Sequence, residues 1–172
     1  MTLIGEDRPG LVELVARQVV QHKGNWLESR MCRLGGKFAG LVRVEVPADQ
    51  EESLRRDLEG LASSGLTVVA ERDAQPADPG TTTFELARLE IVGNDRPGIV
   101  RQVTDILARR GVNLEELNSE CRSAPMSGES IFEARARLAI PSHCDLGALR
   151  RELESVASDM MVEIRLQPGT VA

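Results

Sequence analysis

An α+β fold of two tandem βαββαβ modules is predicted by three features of the sequence. A ten-residue segment occurs twice, apolar residues recur at helical spacing after each copy, and apolar and polar residues alternate in the stretches that follow. The repeated segment runs from Leu3-Ile4-Gly5-Glu6-Asp7 through Arg8-Pro9-Gly10-Leu11-Val12. It is answered by Ile91-Val92-Gly93-Asn94-Asp95 through Arg96-Pro97-Gly98-Ile99-Val100, an offset of 88 residues. Gly24-Asn25-Trp26-Leu27-Glu28 then answers to Gly111-Val112-Asn113-Leu114-Glu115 with a slip of one residue, and Phe38 to Pro47 aligns with Phe132 to Pro141.

Each module opens on a short apolar strand ending at Gly5 or Gly93, the first copy spanning only Thr2 to Gly5. Pro9 or Pro97 is expected at the first helical position, where its missing N–H costs nothing. Leu11, Val12, Val15 and Val19 form the helical stripe of the first copy; Ile99, Val103, Ile106 and Leu107 form that of the second. Gly24 and Gly111 are expected to stop these helices. Two strands follow, joined by a tight Gly35-Gly36 turn in the first module and a longer Ala124 to Glu129 loop in the second. Val42, Val44 and Val46 alternate with Arg43 and Glu45; Phe132, Ala134, Ala136, Leu138 and Ile140 alternate with Glu133, Arg135 and Arg137. One apolar face per strand predicts antiparallel sheets with helices on one face.

A second helix carries Leu54, Leu58 and Leu61, or Leu146, Leu149, Leu153 and Val156. A last strand closes each module, from Leu66 to Glu71 and from Met160 to Leu166. The order β-α-β-β-α-β is the ferredoxin-like arrangement. The Pro/Gly/Thr-rich stretch 74–82 reads as a linker between a first module, 1–73, and a second, 83–168. Such a sheet orders its strands 4-1-3-2 and leaves the second strand at an edge. Antiparallel pairing of two such edges, within the chain or between chains, is expected to hide them.

Composition narrows the function. The 172 residues are 41% hydrophobic and 28% charged, a globular balance, and only 2% aromatic, so Leu, Val, Ile and Ala must build the core. The formal charge of −6 and the pI near 5.1 argue against direct nucleic-acid binding. Cys32, Cys121 and Cys144 are scattered and odd in number, which reads as free thiols in a reducing compartment rather than a disulfide framework or zinc site. With no long apolar run and no signal-peptide pattern, the protein is expected to be cytoplasmic, without membrane contact.

Two copies of Gly-x-Asp-Arg-Pro-Gly-[Leu/Ile]-Val, each followed by a helix and a Gly/Asn turn, resemble tandem ACT domains. More closely, Leu27 to Met31 with Leu34 to Phe38, and Ala124 to Phe132, resemble the two halves of the glycine cleavage system transcriptional repressor family. The resemblance covers nearly the whole chain. It implies a non-enzymatic, amino-acid-responsive regulator with glycine as effector, acting through a DNA-binding protein partner, and a homo-oligomer with no other cofactor.

The candidate ligand residues are Asp7, Arg8, Pro9, Gly10 and Leu11, with Asn94, Asp95, Arg96, Pro97, Gly98 and Ile99 in the second copy. A helix N-terminus offers free N–H groups to a carboxylate, and an Asp can meet an ammonium. Gly10 and Gly98 would permit close backbone approach. The competing structural reading is an Asp cap, a Pro starter and a Gly for packing. Asn25 and Asn113 open the edge strands, where edge pairing would set each beside the other module's turn; as turn residues they need no ligand. The loop from Ala124 to Glu129 is a third candidate, as a lid or partner contact or as a plain hairpin loop.

Catalytic constellations are not found. His22 fits the end of a helix, and His143 beside Cys144 is a sequence neighbour, not a nucleophile–base pair. No P-loop, dinucleotide fingerprint or metal cluster is present. Besides the regulator, two readings remain: a sensory subunit of an amino-acid metabolic enzyme, similar to the ACT module carried by formyltetrahydrofolate deformylase, and a ligand-free oligomerisation module.

Overall fold

Alternating apolar residues and 3.6-residue stripes shape the same six-element path twice. The computed structural model describes residues 1–73, 83–123 and 128–169. The stretch read as a linker, 74–82, and residues 124–127 of the second hairpin loop lie outside the described residues. The chain divides into two compact units, Met1–Pro76 and Ala77–Ala172.

The first unit runs β1 (Thr2–Glu6), α1 (Leu11–Gln21), β2 (Asn25–Leu34), β3 (Lys37–Glu45), α2 (Glu51–Gly60), a 3₁₀ turn (Leu61–Ser64) and β4 (Leu66–Val69). The second runs β5 (Phe84–Asn94), α3 (Ile99–Arg109), β6 (Asn113–Ser123), β7 (Ser130–Pro141), α4 (Leu146–Met160) and β8 (Val162–Pro168). All pairings are antiparallel, in the orders β2-β3-β1-β4 and β6-β7-β5-β8. These are the expected ferredoxin-like orders, and β2 and β6 stand at the edges of their own sheets.

The core of each unit is the predicted apolar face. Leu3, Val42, Leu66 and Val68 of the first sheet pack with Leu11, Val15 and Val19 of α1 and Leu54 and Leu58 of α2. Leu89, Ile91, Ala134 and Leu138 of the second pack with Ile99, Val103 and Leu107 of α3 and Leu149 and Leu153 of α4. Each fully buried Leu, Ile or Val contributes roughly 1.5–3 kcal/mol, an upper range because a compact unfolded chain already hides some surface. The opposite face of the first sheet leaves Ile4, Leu41 and Val69 exposed.

Several local expectations are corrected. Pro9 and Pro97 sit in a turn ahead of the helices, which begin at Leu11 and Ile99. The residues at the N-caps are Gly10 (φ 93°) and Gly98 (φ 100°), left-handed and with nothing within 4 Å of a hypothetical Cβ. Glycine is selected there by its backbone angle, not by close packing. Val12 and Leu146 fall outside their stripes and are exposed, because the buried faces follow Leu11, Val15, Val19 and Leu149, Leu153. Leu61 is buried but belongs to the 3₁₀ turn. The last strands are β4, which stops at Val69, and β8, which starts after Met160 has ended α4.

The slip in the repeat also disappears. The left-handed residue after α1 is Lys23 (φ 57°) and that after α3 is Gly111 (φ 67°), again 88 apart. Gly24 has another role: a Cβ there would come within 2.9 Å of Val19 Cγ1 and 3.1 Å of Glu45 O. Asn25 and Asn113 both open their strands, and both strands shift register one residue later, between Trp26 and Glu28 and between Leu114 and Glu116. The two asparagines are therefore equivalent.

Candidate functional site

The two Asp-Arg-Pro-Gly corners are built alike. As β1 leaves the sheet, the Asp7 N–H donates to Gly36 O at 2.9 Å; the Asp95 N–H donates to Ser130 O at 2.8 Å. The chain then turns through Pro and the left-handed Gly. Leu14 N–H donates to Gly10 O and Gln102 N–H to Gly98 O, closing the first helical bonds. No side chain caps either helix, so the expected Asp cap is absent and the first-turn amides keep their donors free of side-chain acceptors. An uncapped helix start carrying a partial positive charge suits a carboxylate.

The side chains at the corners divide into three kinds. Leu11 and Ile99 are each 2% exposed and belong to the cores, so only their backbone faces the corner. Arg8 turns onto its own unit, its Nη2 donating to Ser64 O at 2.5 Å, and Arg96 Nη2 lies 3.6 Å from Met161 Sδ. Both guanidiniums thus reach toward the turn that precedes the last strand. Pro9, Gly10, Pro97 and Gly98 are exposed, as is Asn94, which ends β5 opposite Ile131.

The two aspartates have different neighbours. Asp7 Oδ2 lies 3.4 Å from Arg33 Nη1. Asp95 lies near Cys121, whose thiol is pushed up by partial desolvation and then by the Asp95 carboxylate. Arg33 and Cys121 occupy the same place, 88 residues apart. Among the described residues no cation is paired with Asp95. Sequence reasoning missed both neighbours. The nearest signal was the Gly35-Gly36 turn: it sets Leu34 opposite Lys37, which lies opposite Glu6, so β2 and β1 end at the same end of the sheet with β3 between them.

Within one unit the asparagines and aspartates are not brought together. Asn25 lies opposite Glu45 and Asn113 opposite Ala139, at the far ends of β3 and β7 from the corners. Ten residues of β2 span roughly 30 Å at about 3.3 Å each. Most of the third candidate, the loop 124–129, lies outside the described residues.

His22 is a structural clamp rather than only a helix-end cation. It is the C-cap of α1, and its ring nitrogens contact Asp57 Oδ2 at 2.8 Å and Ser53 Oγ at 3.2 Å, tying α1 to α2. Burial raises the Cys144 thiol, which disfavours the thiolate a nucleophile needs. Among the described residues no cluster of His, Cys, Asp and Glu fits a metal ion, and no helix is long and apolar enough to cross a membrane.

Comparison with known proteins places the two units in a family. Two ACT-domain family models match, one over residues 1–71 and one over residues 82–162. A crystal structure of an unknown protein from Galdieria sulphuraria is similar at 29% identity and a TM-score of 0.85, covering 98% of this chain and 96% of that one. A candidate glycine cleavage system transcriptional repressor is similar in fold, with a TM-score of 0.66 and 20% identity over 99% of this chain and 95% of that one. No curated protein matches the sequence significantly. Two repeated βαββαβ units, each matched by an ACT model, make this chain a member of the ACT-domain family, with two ACT domains in tandem.

Proposed function

We propose that the protein is an amino-acid-responsive regulator whose corners at Asp7 and Asp95 receive the effector. The observation that carries this reading is the duplicated corner, in which an uncapped helix start and a carboxylate stand side by side. The amides match an α-carboxylate and the Asp matches an α-ammonium. The likeness to a candidate glycine cleavage system transcriptional repressor supports glycine as effector and transcription of glycine-cleavage genes as the output. The net charge of −6 favours acting through a DNA-binding protein partner over direct contact with DNA. A cytoplasmic, non-catalytic role accords with this reading.

The Asp95 corner is the better ammonium site. At Asp7 an incoming ammonium must displace the Arg33 guanidinium, whereas Asp95 is held only by a neutral thiol. Edge strands β2 and β6 favour a homo-oligomer, since antiparallel pairing along such an edge covers its open backbone groups. It would also bring the asparagine that opens one edge strand toward the corner at the end of its neighbour.

Affinity capture from the native cells, with and without millimolar glycine, tests the regulatory reading. The expected result is a DNA-binding protein whose recovery changes with glycine. Recovery of a metabolic enzyme instead would favour the sensory-subunit reading.

A further inference from the structure

The outer faces of the two sheets, turned away from the helices, differ in chemistry. On the second sheet this face is a lattice of charge that includes Glu120, Arg122, Glu133, Arg135 and Arg165. Arg122 bridges to Glu120 and Glu133, and Arg165 to Glu163. A sheet face left in water carries residues of this kind. The hairpins align at Leu34–Lys37 and Arg122–Ile131, and the last strands at Thr2–Val69 and Glu90–Arg165. On that alignment the first sheet replaces the five charged residues, in order, with Cys32, Leu34, Ala39, Leu41 and Val69.

Register lays these residues out as a band with Ile4 at its centre. Ile4 lies between Thr67 and Ala39, and Cys32 lies on the other side of Ala39. In the next row Thr2 lies between Val69 and Leu41. Leu41 is 61% exposed, Val69 53% and Ile4 50%. None of them belongs to the core of the first domain, so packing against the helices does not explain why they are apolar. A contiguous apolar band in place of a charged lattice marks a surface that is covered in an assembly. One end of the band carries a single ion pair, Glu6 with Lys37, residues that face each other on β1 and β3.

We propose that this band is an interface with a second copy of the chain, the two first-domain sheets packed face to face. Sheets packed in this way lie about 10 Å apart with their strands within about 30° of each other. A two-fold axis running along the strands lays β1 of each copy across β3 of the other. Ile4 then meets Ala39 of the second copy, and Thr2 meets its Leu41. Glu6 meets its Lys37, and symmetry makes each contact twice. The charges at the end of the band are therefore complementary to themselves, which selects a second copy as the occupant. A charged face laid on the band would instead lose its water against apolar side chains with nothing to replace it. The interface uses the face of the sheet, not the edges of β2 and β6, and stands whether or not the corners bind an amino acid.

Sedimentation equilibrium of the full chain, from low to high micromolar concentration, tests the proposal. Wild type is expected to show an association step in this range. The double variant Leu41→Arg, Val69→Arg carries the residue types found at the equivalent positions of the second sheet. It should weaken that step at least about tenfold, since each copy would bury arginines without partners. Glu6→Lys alone should also weaken it, and adding Lys37→Glu should restore it, because the exchange re-forms the pairs between copies. The charge exchange keeps the test decisive if the arginine variant does not fold. A chain that stays monomeric throughout overturns the proposal. So does association that is equal in wild type, the arginine variant and Glu6→Lys, which would assign assembly to the sheet edges.

Discussion

The two ACT domains share a path and an 88-residue spacing from their first strands to their edge strands, yet they differ at the central strand and at the corner. In the second domain an 11-residue β5 covers the whole of β7; in the first, a 5-residue β1 covers only half of β3. The first domain keeps its core: Leu3, Leu58 and Leu66 are buried. What it loses is local: Val44 and Val46 are left half-covered. The same path thus leaves Val44 and Val46 half-buried in one domain and their equivalents Leu138 and Ile140 buried in the other.

The sharpest way to break this comparison is to truncate equivalent residues. Leu138→Ala should destabilise the second domain by about 2–5 kcal/mol, since it empties a site that is 0% exposed. Val44→Ala should cost under about 1 kcal/mol, because its side chain is already partly in water. Urea unfolding of each variant measures both. Equal costs would mean that Val44 is packed as fully as Leu138.

The corners should behave alike under backbone strain. Gly10→Ala and Gly98→Ala each force a Cβ into a left-handed residue, at roughly 1–2 kcal/mol apiece. Open space around both positions makes strain the only cost, so unequal losses in chemical denaturation would show that the two turns are not equivalent.

A smaller difference lies in the second helices. The Asp145 carboxylate of α4 accepts the Ala148 N–H, while α2 has no side-chain cap. That backbone bond holds the Asp145 pKa below its ordinary value of 3.8. Folding therefore favours the charged form. The contribution is complete above pH 3.8 and is lost as pH falls through the lower folded value. Asp145→Asn should flatten the acid limb of the second domain's stability profile and leave the first domain unchanged, as followed by thermal melts between neutral and acid pH.

Most of the fold was legible in the sequence because its signals are local and periodic. Leu11, Val15 and Val19 sit four apart, Val42 and Val44 two apart, and Gly35-Gly36 marks a hairpin. Helix starts were misplaced because Pro9 and Pro97 look like helix openers, whereas the positive φ of the following glycine fixes the boundary. The apparent slip at Gly24 arose from matching glycine to glycine when the equivalent left-handed residue is Lys23. The corner aspartates could be picked out from the repeat. Their neighbours, Arg33 and Cys121, could not, because they arrive through hairpin register from about 26 residues away in sequence.

The central claim is that the duplicated corner binds an amino acid, with Asp95 as the stronger ammonium partner. Calorimetric titration of the intact protein with glycine, followed by a panel of other amino acids, tests it most directly when wild type is set beside Asp7→Ala and Asp95→Ala. The account predicts saturable binding that Asp95→Ala abolishes and Asp7→Ala weakens less. No heat with any amino acid at concentrations able to detect millimolar affinity, or binding untouched by either substitution, would contradict it.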